Sequence, residues 1–225
     1  MVRVSGVTID ITERKRAEER QNLLAREVDH RAKNALALAQ SIVRLTRGEN
    51  VKAYIRAVEG RINALARVHT VLSLSSWQGA EIGRLVDEEL APYSTGDQIA
   101  FGGSEIQLQP ATAQTLALAL HELVTNSCKY GALSTVSGRI SIRWEIEADV
   151  LRMVWEERDG PVVEKPASRG FGTRSVITSI ESQLGGQAEF DWRSEGLICR
   201  LSVPLVQDVS TRPFRQNFVL KGSGS

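Results

Sequence analysis

The segment His121–Leu133, HELVTNSCKYGAL, holds the residues whose types and spacing point most directly to chemistry. Glu122 and Asn126 are four apart, and Lys129 and Tyr130 follow three and four residues later. On a helix these side chains share one face. Leu116, Leu120, Leu123 and Val124 supply the apolar face that such a helix would bury. A carboxylate, a carboxamide, an ammonium and a phenol make a poor core stripe but suit a divalent cation and a polyphosphate. Carboxylate and amide oxygens satisfy Mg²⁺, with waters and ligand phosphates completing its octahedron. A lysine adds a point charge for phosphate oxygens. The expectation is a nucleotide site built on a helix. His121 borders the face and can either orient a neighbour or simply pack.

Two further segments carry compatible chemistry. Trp155-Glu156-Glu157-Arg158-Asp159-Gly160-Pro161 ends a strand-like run in acids, followed by a turn. A carboxylate at a strand end can accept a hydrogen bond from an exocyclic amine; read alone, the run is a surface acid cluster. Gly170-Phe171-Gly172 precedes a helical pattern at Thr173, and glycines there let backbone N–H groups approach phosphate. No GxxxxGK[ST] loop occurs. A separate constellation is Glu27-Val28-Asp29-His30-Arg31-Ala32-Lys33-Asn34. A neutral imidazole such as that of His30 is a competent nucleophile toward phosphorus. Asp29 or Glu27 can orient the ring or accept its proton, and Asn34 lies one turn on. His69 falls on an apolar seam and reads as a satisfied core histidine.

The elements that must position these groups fall into four stretches. Residues 1–11 contain a single strand-like piece, read as the end of an upstream domain. Residues 12–76 hold two helices with heptad-like seams. The first seam runs Leu24, Val28, Arg31, Ala35, Leu38, Ile42, Leu45, and the second Ile55, Val58, Ile62, Leu65, His69, Leu72, with a break at Gly48-Glu49-Asn50. Such a pair predicts an antiparallel hairpin, which two copies would close into a four-helix bundle. Residues 77–205 read as α+β. Helices are expected at 81–91, from 111 and at 173–184, the last ended by Gly185-Gly186. Strands are expected at 98–101, 105–108, 139–147, 150–157, 188–192 and 197–203. Residues 206–225 carry little pattern and read as a tail or linker.

Composition narrows the partners. The 225 residues are 42% hydrophobic, enough for a core, and the formal net charge of +1 gives no reason to propose nucleic acid or an anionic membrane. No apolar run approaches the ~20 residues of a membrane span, so the chain as given is compatible with the cytoplasm. The two cysteines, Cys128 and Cys199, lack metal-ligand spacing and read as buried thiols.

Taken together, these motifs resemble the HWE family of sensor histidine kinases, close to the HisKA_2 group, over about residues 20–205. EVDHRAKNALALAQSIVRLT is similar to the family's phosphoacceptor helix, with His30 at the matching histidine. HELVTNSCKYGAL resembles its N-box, Trp155-Glu156-Glu157 its W-x-E motif and Gly170–Gly172 its second glycine box. VSGVTIDITERKRAEE looks like the end of a PAS domain entering a signalling helix.

The resemblance implies a helical dimerisation and phosphotransfer hairpin, then a GHKL-type α/β sandwich with a mixed, mainly antiparallel sheet and three helices. It implies ATP and Mg²⁺ as ligands. His30 would be the phosphoacceptor, flanked by Asp29 and Asn34. Asn126 and Glu122 would hold the metal, with Glu122 also a base. His121, Lys129, Tyr130, Trp155, Glu157, Asp159, Gly160, Gly170, Gly172 and Thr173 would line the nucleotide. Phosphate would pass to an aspartate of a response-regulator receiver domain, under an upstream sensor and in a homodimer. Relatives carry Gly-Gly-Pro after the glutamate; here Asp159 replaces the first glycine, a change expected to loosen the turn because Asp adopts positive φ less readily. The rival readings are a nucleotide-binding dimeric scaffold without transfer and a GHKL ATPase.

Overall fold

A computed structural model describes residues 12–93, 96–163, 170–205 and 219–220. The expected remnant of an upstream domain at 1–11 lies outside the described residues, as does most of the tail. The chain divides into two compact units, Met1–Thr46 and Arg47–Ser225.

The first unit is a single long helix, α1 (Thr12–Leu45), uninterrupted by glycine or proline. Exposed i,i+4 pairs, Arg14–Glu18 at 3.2 Å and Lys33–Asp29 at 2.6 Å, support it; such pairs contribute only ~0.3–0.5 kcal/mol each. Leu23, Val28, Leu36, Val43 and Leu45 are exposed on it.

The second unit opens with α2 (Val51–Leu74), whose N-terminus is capped by Asn50 Oδ1 accepting from the Ala53 N–H at 2.9 Å. Its buried stripe is Arg61, Ala64, Leu65, Val68, Val71 and Leu72, packed toward helices α3 (Ile82–Leu90) and α4 (Pro110–Tyr130). Leu65 and Leu72 belong to the expected seam, whereas Ile55 and Ile62 remain exposed. The buried stripe is therefore rotated from the seam, and compactness groups α2 with the region after residue 77. His69 is half-buried, edge-on to Trp77 at 5.1 Å, with Nε2 3.1 Å from Gln114 Nε2.

Beyond α2, strand β1 (Ala80–Glu81) pairs antiparallel with β3 (Gln107–Leu108), a bridge the sequence pattern did not suggest. The main sheet contains β2 (Ile99–Gly103), β4 (Arg139–Glu147), β5 (Val150–Arg158), β6 (Gln187–Arg193), β7 (Gly196–Pro204) and β8 (Val219–Leu220). Its order is β6-β7-β5-β4-β2-β8, with only β2 and β4 parallel. The expected mixed, mainly antiparallel α+β architecture is what forms. Ala148 (φ 49°) and Asp149 (φ 61°) make the β4–β5 turn, both left-handed as a type I′ hairpin requires.

Alternation sets the core. Ile142, Trp155 and Cys199 lie across one buried row, and Trp144, Met153 and Leu201 across the next. Continuing the alternation along β5 from Leu151 through Met153 and Trp155 brings Glu157 to the same buried face, opposite Ile140.

Helix α5 (Phe171–Thr178) begins two residues earlier than the pattern predicts, and Ser179–Gln183 continue it as a π-helical turn. Gly185, at φ 64°, then closes the helix, and the Gly186 N–H donates to the Ile180 carbonyl at 3.0 Å.

Candidate nucleotide site

α4 places the opening motif in a gradient of burial. His121, Glu122 and Ser127 are buried, Asn126 is half-buried, and Lys129 and Tyr130 reach solvent at the helix end. Pro110 at the first helical turn starts the helix where its missing N–H costs nothing.

The glycine turn meets this face directly. A Cβ added to Gly172 would lie 2.8 Å from Asn126 Nδ2, 3.0 Å from Asn126 Oδ1 and 3.1 Å from Glu122 Oε2. Only glycine lets the start of α5 sit so close to both groups. Gly170 caps α5 without a side-chain hydrogen bond, which leaves the first N–H groups of that helix without a side-chain acceptor. Thr173 is buried one residue further on. The residues fit a metal-bound polyphosphate: an amide oxygen and a carboxylate oxygen stand beside an uncapped helix N-terminus. Among the described residues no cluster of three or more His, Cys, Asp or Glu forms a metal centre, and a site completed by phosphates does not need one.

The W-x-E segment does something the sequence did not reveal. Glu157, 4% exposed, accepts at Oε2 from the Ser127 hydroxyl (2.9 Å) and the Ala132 N–H (2.8 Å), and at Oε1 from the Trp155 indole N–H (2.9 Å). The Leu133 N–H donates in turn to Ser127 Oγ at 3.2 Å. The carboxylate therefore ties β5 to the end of α4. A carboxylate offers about four acceptor positions, so one remains for a ligand N–H. Trp155 itself is fully buried and meets the site only through Glu157. Glu156, on the opposite face of β5 with its side chain 12% exposed, pairs with Arg143 and Arg158.

The turn after Glu157 is tight despite the replaced glycine. Asp159 adopts φ 58°, and its carbonyl accepts from the Ser137 hydroxyl at 3.0 Å. A Cβ on Gly160 would lie 2.8 Å from the Ala132 Cα, so this turn closes onto the segment that Glu157 holds.

Residues 27–105 match the HWE histidine kinase family. The blue-light-activated histidine kinase of Rhizobium johnstonii is 37% identical over 204 residues, spanning 88% of this chain and 59% of that protein. The chain belongs to the HWE histidine kinase family. The blue-light-activated histidine kinase of Brucella anthropi is 33% identical, across 91% of this chain and 43% of that protein. The chain thus spans about half the length of the curated relatives it matches. The blue-light-activated histidine kinase of Erythrobacter litoralis EL346 shares the fold, with a TM-score of 0.61 at 22% identity over 80% of this chain and 58% of that one. Its histidine kinase domain gives 0.56 at 18% identity, covering 77% and 94%.

The three residues that the sequence resemblance matched to the HWE signature, His121, Trp155 and Glu157, are all buried. His121 packs under α2: a Cβ on Gly60 would lie 2.8 Å from its Nε2. Its Nδ1 is buried without a hydrogen-bond partner. Burial, reinforced by Arg67, Arg61 and Lys129, pulls its pKa down to about 4, so the ring is neutral near pH 7. Burial also pushes both thiols, Cys128 and Cys199, above their ordinary pKa. His30 lies on the helical backbone of α1; its side chain and those of Glu27 and Arg31 lie outside the described residues. Asp29, next to it, pairs with Lys33.

Sequence reasoning missed Gly60, Arg61 and Ser127. Arg61 Nε donates to Glu122 Oε1 at 2.7 Å, and its guanidinium lies 4.8 Å over the Phe171 ring. The signal for it was a glycine inside an unbroken helix, which marks a close approach. Ser127 stood inside the motif itself, on the flank turned to β5.

Proposed function

We propose that the chain is the kinase core of a sensor histidine kinase, in which the α4 face binds Mg·ATP and His30 takes its γ-phosphoryl group. One observation carries the binding half: Glu122 Oε2 and the Asn126 amide converge on Gly172 at the uncapped start of α5. Backbone N–H groups there would take phosphate oxygens, and Lys129 would add charge from the rim. Mg²⁺, when bound, supplies charge neutralisation between the phosphates and the oxygens of Asn126 and Glu122. Glu157, through its remaining acceptor position, would take the adenine amine.

His30, in its neutral form, would attack phosphorus through a ring nitrogen; the bond to the β-phosphate oxygen breaks, the imidazole proton leaves to a carboxylate, and ADP departs. The phosphohistidine would then pass the group to an aspartate of a response-regulator receiver domain in the cytoplasm. No helix among the described residues is long and apolar enough to cross a membrane. The apolar residues exposed on α1 suit a second copy of the chain. An upstream sensor would act through α1.

The test is acid-labile ³²P incorporation from γ-labelled ATP, with sedimentation of the same samples to read the dimer. Wild type should label and His30→Gln should not; equal labelling of the two refutes the assignment.

A further inference from the structure

Arg61 belongs to no recognised motif, yet it is the side chain that touches both halves of the candidate site. It sits in the middle of α2, directly after Gly60. Its side chain and that of Glu122 are each about nine-tenths buried, 9% and 10% exposed. The two oxygens of Glu122 are divided. Oε1 accepts from Arg61 Nε, and Oε2 is turned to the point beside Gly172 that the Asn126 amide also reaches. A carboxylate held at one oxygen is restrained from turning the other away. The same guanidinium covers Phe171, the residue between the two glycines of the turn. One planar cation therefore fixes the acid on α4 and the turn before α5 together. Gly60 allows this, because any side chain there would meet His121 and hold α2 away.

We infer that Arg61 is a positioning residue for the nucleotide: it presents Glu122 Oε2 and the Phe171–Gly172 backbone to metal-bound phosphates, so that α2 is part of the support of the ATP site. The inference rests on reading the α4 face as an Mg–nucleotide site. Partners that orient a metal-binding carboxylate typically alter affinity roughly 10–100-fold when removed. Lysine would keep the charge but lose the planar contact with Phe171.

The test is calorimetric titration of the whole chain with the β,γ-imido analogue of ATP, in saturating Mg²⁺ and in EDTA. Arg61→Met should weaken binding roughly 10-fold or more in Mg²⁺ and far less in EDTA, with Arg61→Lys in between. In a Glu122→Gln background, Arg61→Met should cost much less than in wild type, because the carboxylate it positions is gone and only its contact with Phe171 remains. Equal affinity of Arg61→Met and wild type in Mg²⁺ overturns the inference, as does an equal loss with and without the metal. If Arg61→Met does not fold, the Arg61→Met/Glu122→Gln pair decides: a loss of roughly 10-fold or more in Mg²⁺ beyond Glu122→Gln alone overturns the inference. A wild type that binds no nucleotide removes the site and the inference together; a wild type that binds with Arg61→Met unchanged removes only the inference.

Discussion

Replacing Glu157 with glutamine separates two roles that the W-x-E motif could serve. The buried carboxylate takes three hydrogen bonds, from Ser127, Ala132 and Trp155. Glutamine keeps one oxygen and gains an NH₂ group. With the oxygen at the Oε2 position, Ser127 and Ala132 stay satisfied but the NH₂ faces the Trp155 N–H, donor against donor. The reverse placement orphans two donors instead. A hydrogen bond to a charged group contributes ~1.5–3 kcal/mol, so losing one and weakening two totals roughly 3–5 kcal/mol. Burying a neutral amide in place of an ion returns a part of that, leaving about 2 kcal/mol net. For a domain of this size that shifts Tm by roughly 4–8 °C. Urea unfolding and a thermal melt of Glu157→Gln against wild type read it. If stability matches wild type within about 0.5 kcal/mol while nucleotide affinity falls, the tie between β5 and α4 is refuted, and the acid acts only on the ligand.

Two more outcomes follow from the contact of α2 with α4. His121 has a folded-state pKa of about 4, below its ordinary 6.5, so the unfolded chain binds the proton first as pH falls. Its contribution is complete above pH 6.5 and is lost between there and about 4, amounting to about 2 kcal/mol by pH 5. The stability difference between wild type and His121→Phe should therefore shrink by that much from pH 7.5 to 5 in urea titrations, and an unchanged difference would count against the buried neutral ring. Gly60→Ala should destabilise, although alanine in a helix interior ordinarily gains ~1 kcal/mol over glycine, because its Cβ would stand 2.8 Å from His121 Nε2; a raised Tm would show that α2 yields easily.

The sheet was legible because its signal is local. Alternation in 139–147 and 150–157 marks both strands and their inward faces, and the observed bounds differ by one residue. The same alternation placed Glu157 inward, but residue type, an acid beside another acid before a turn, pointed outward; burial followed the period and not the charge. The α4 motif was legible as a face, and its gradient of burial was not, since that depends on what packs at each level. The heptad rhythm of α2 identified an apolar stripe without naming its partner. Arg61 lies one residue from Ile62 of that stripe, and a rotation of the packed face was enough to bury the arginine and expose the isoleucine. The π-helical turn after α5 had no sequence signal, because it arises where Gly185 closes the helix.

The burial pattern divides the labour of the site. Lys129 and Tyr130 are exposed and Asn126 half-exposed, so these side chains can reach a ligand. His121, Trp155, Glu157 and Arg61 are buried; His121 bears on the site through the seat of α2, Trp155 through Glu157, and Arg61 through Glu122, while Glu157 keeps one acceptor position for the ligand and braces the site through Ser127 and Ala132. A nucleotide bound by a few exposed groups loses affinity with every freedom those groups retain, so a small, open site needs its rigidity from beneath. On this reading the residues that define the family signature serve preorganisation. Because α2 is packed into that support, a displacement of α2 must alter the Glu122 carboxylate and the Gly172 turn together, and nucleotide binding must in return hold α2 in place by the same free energy.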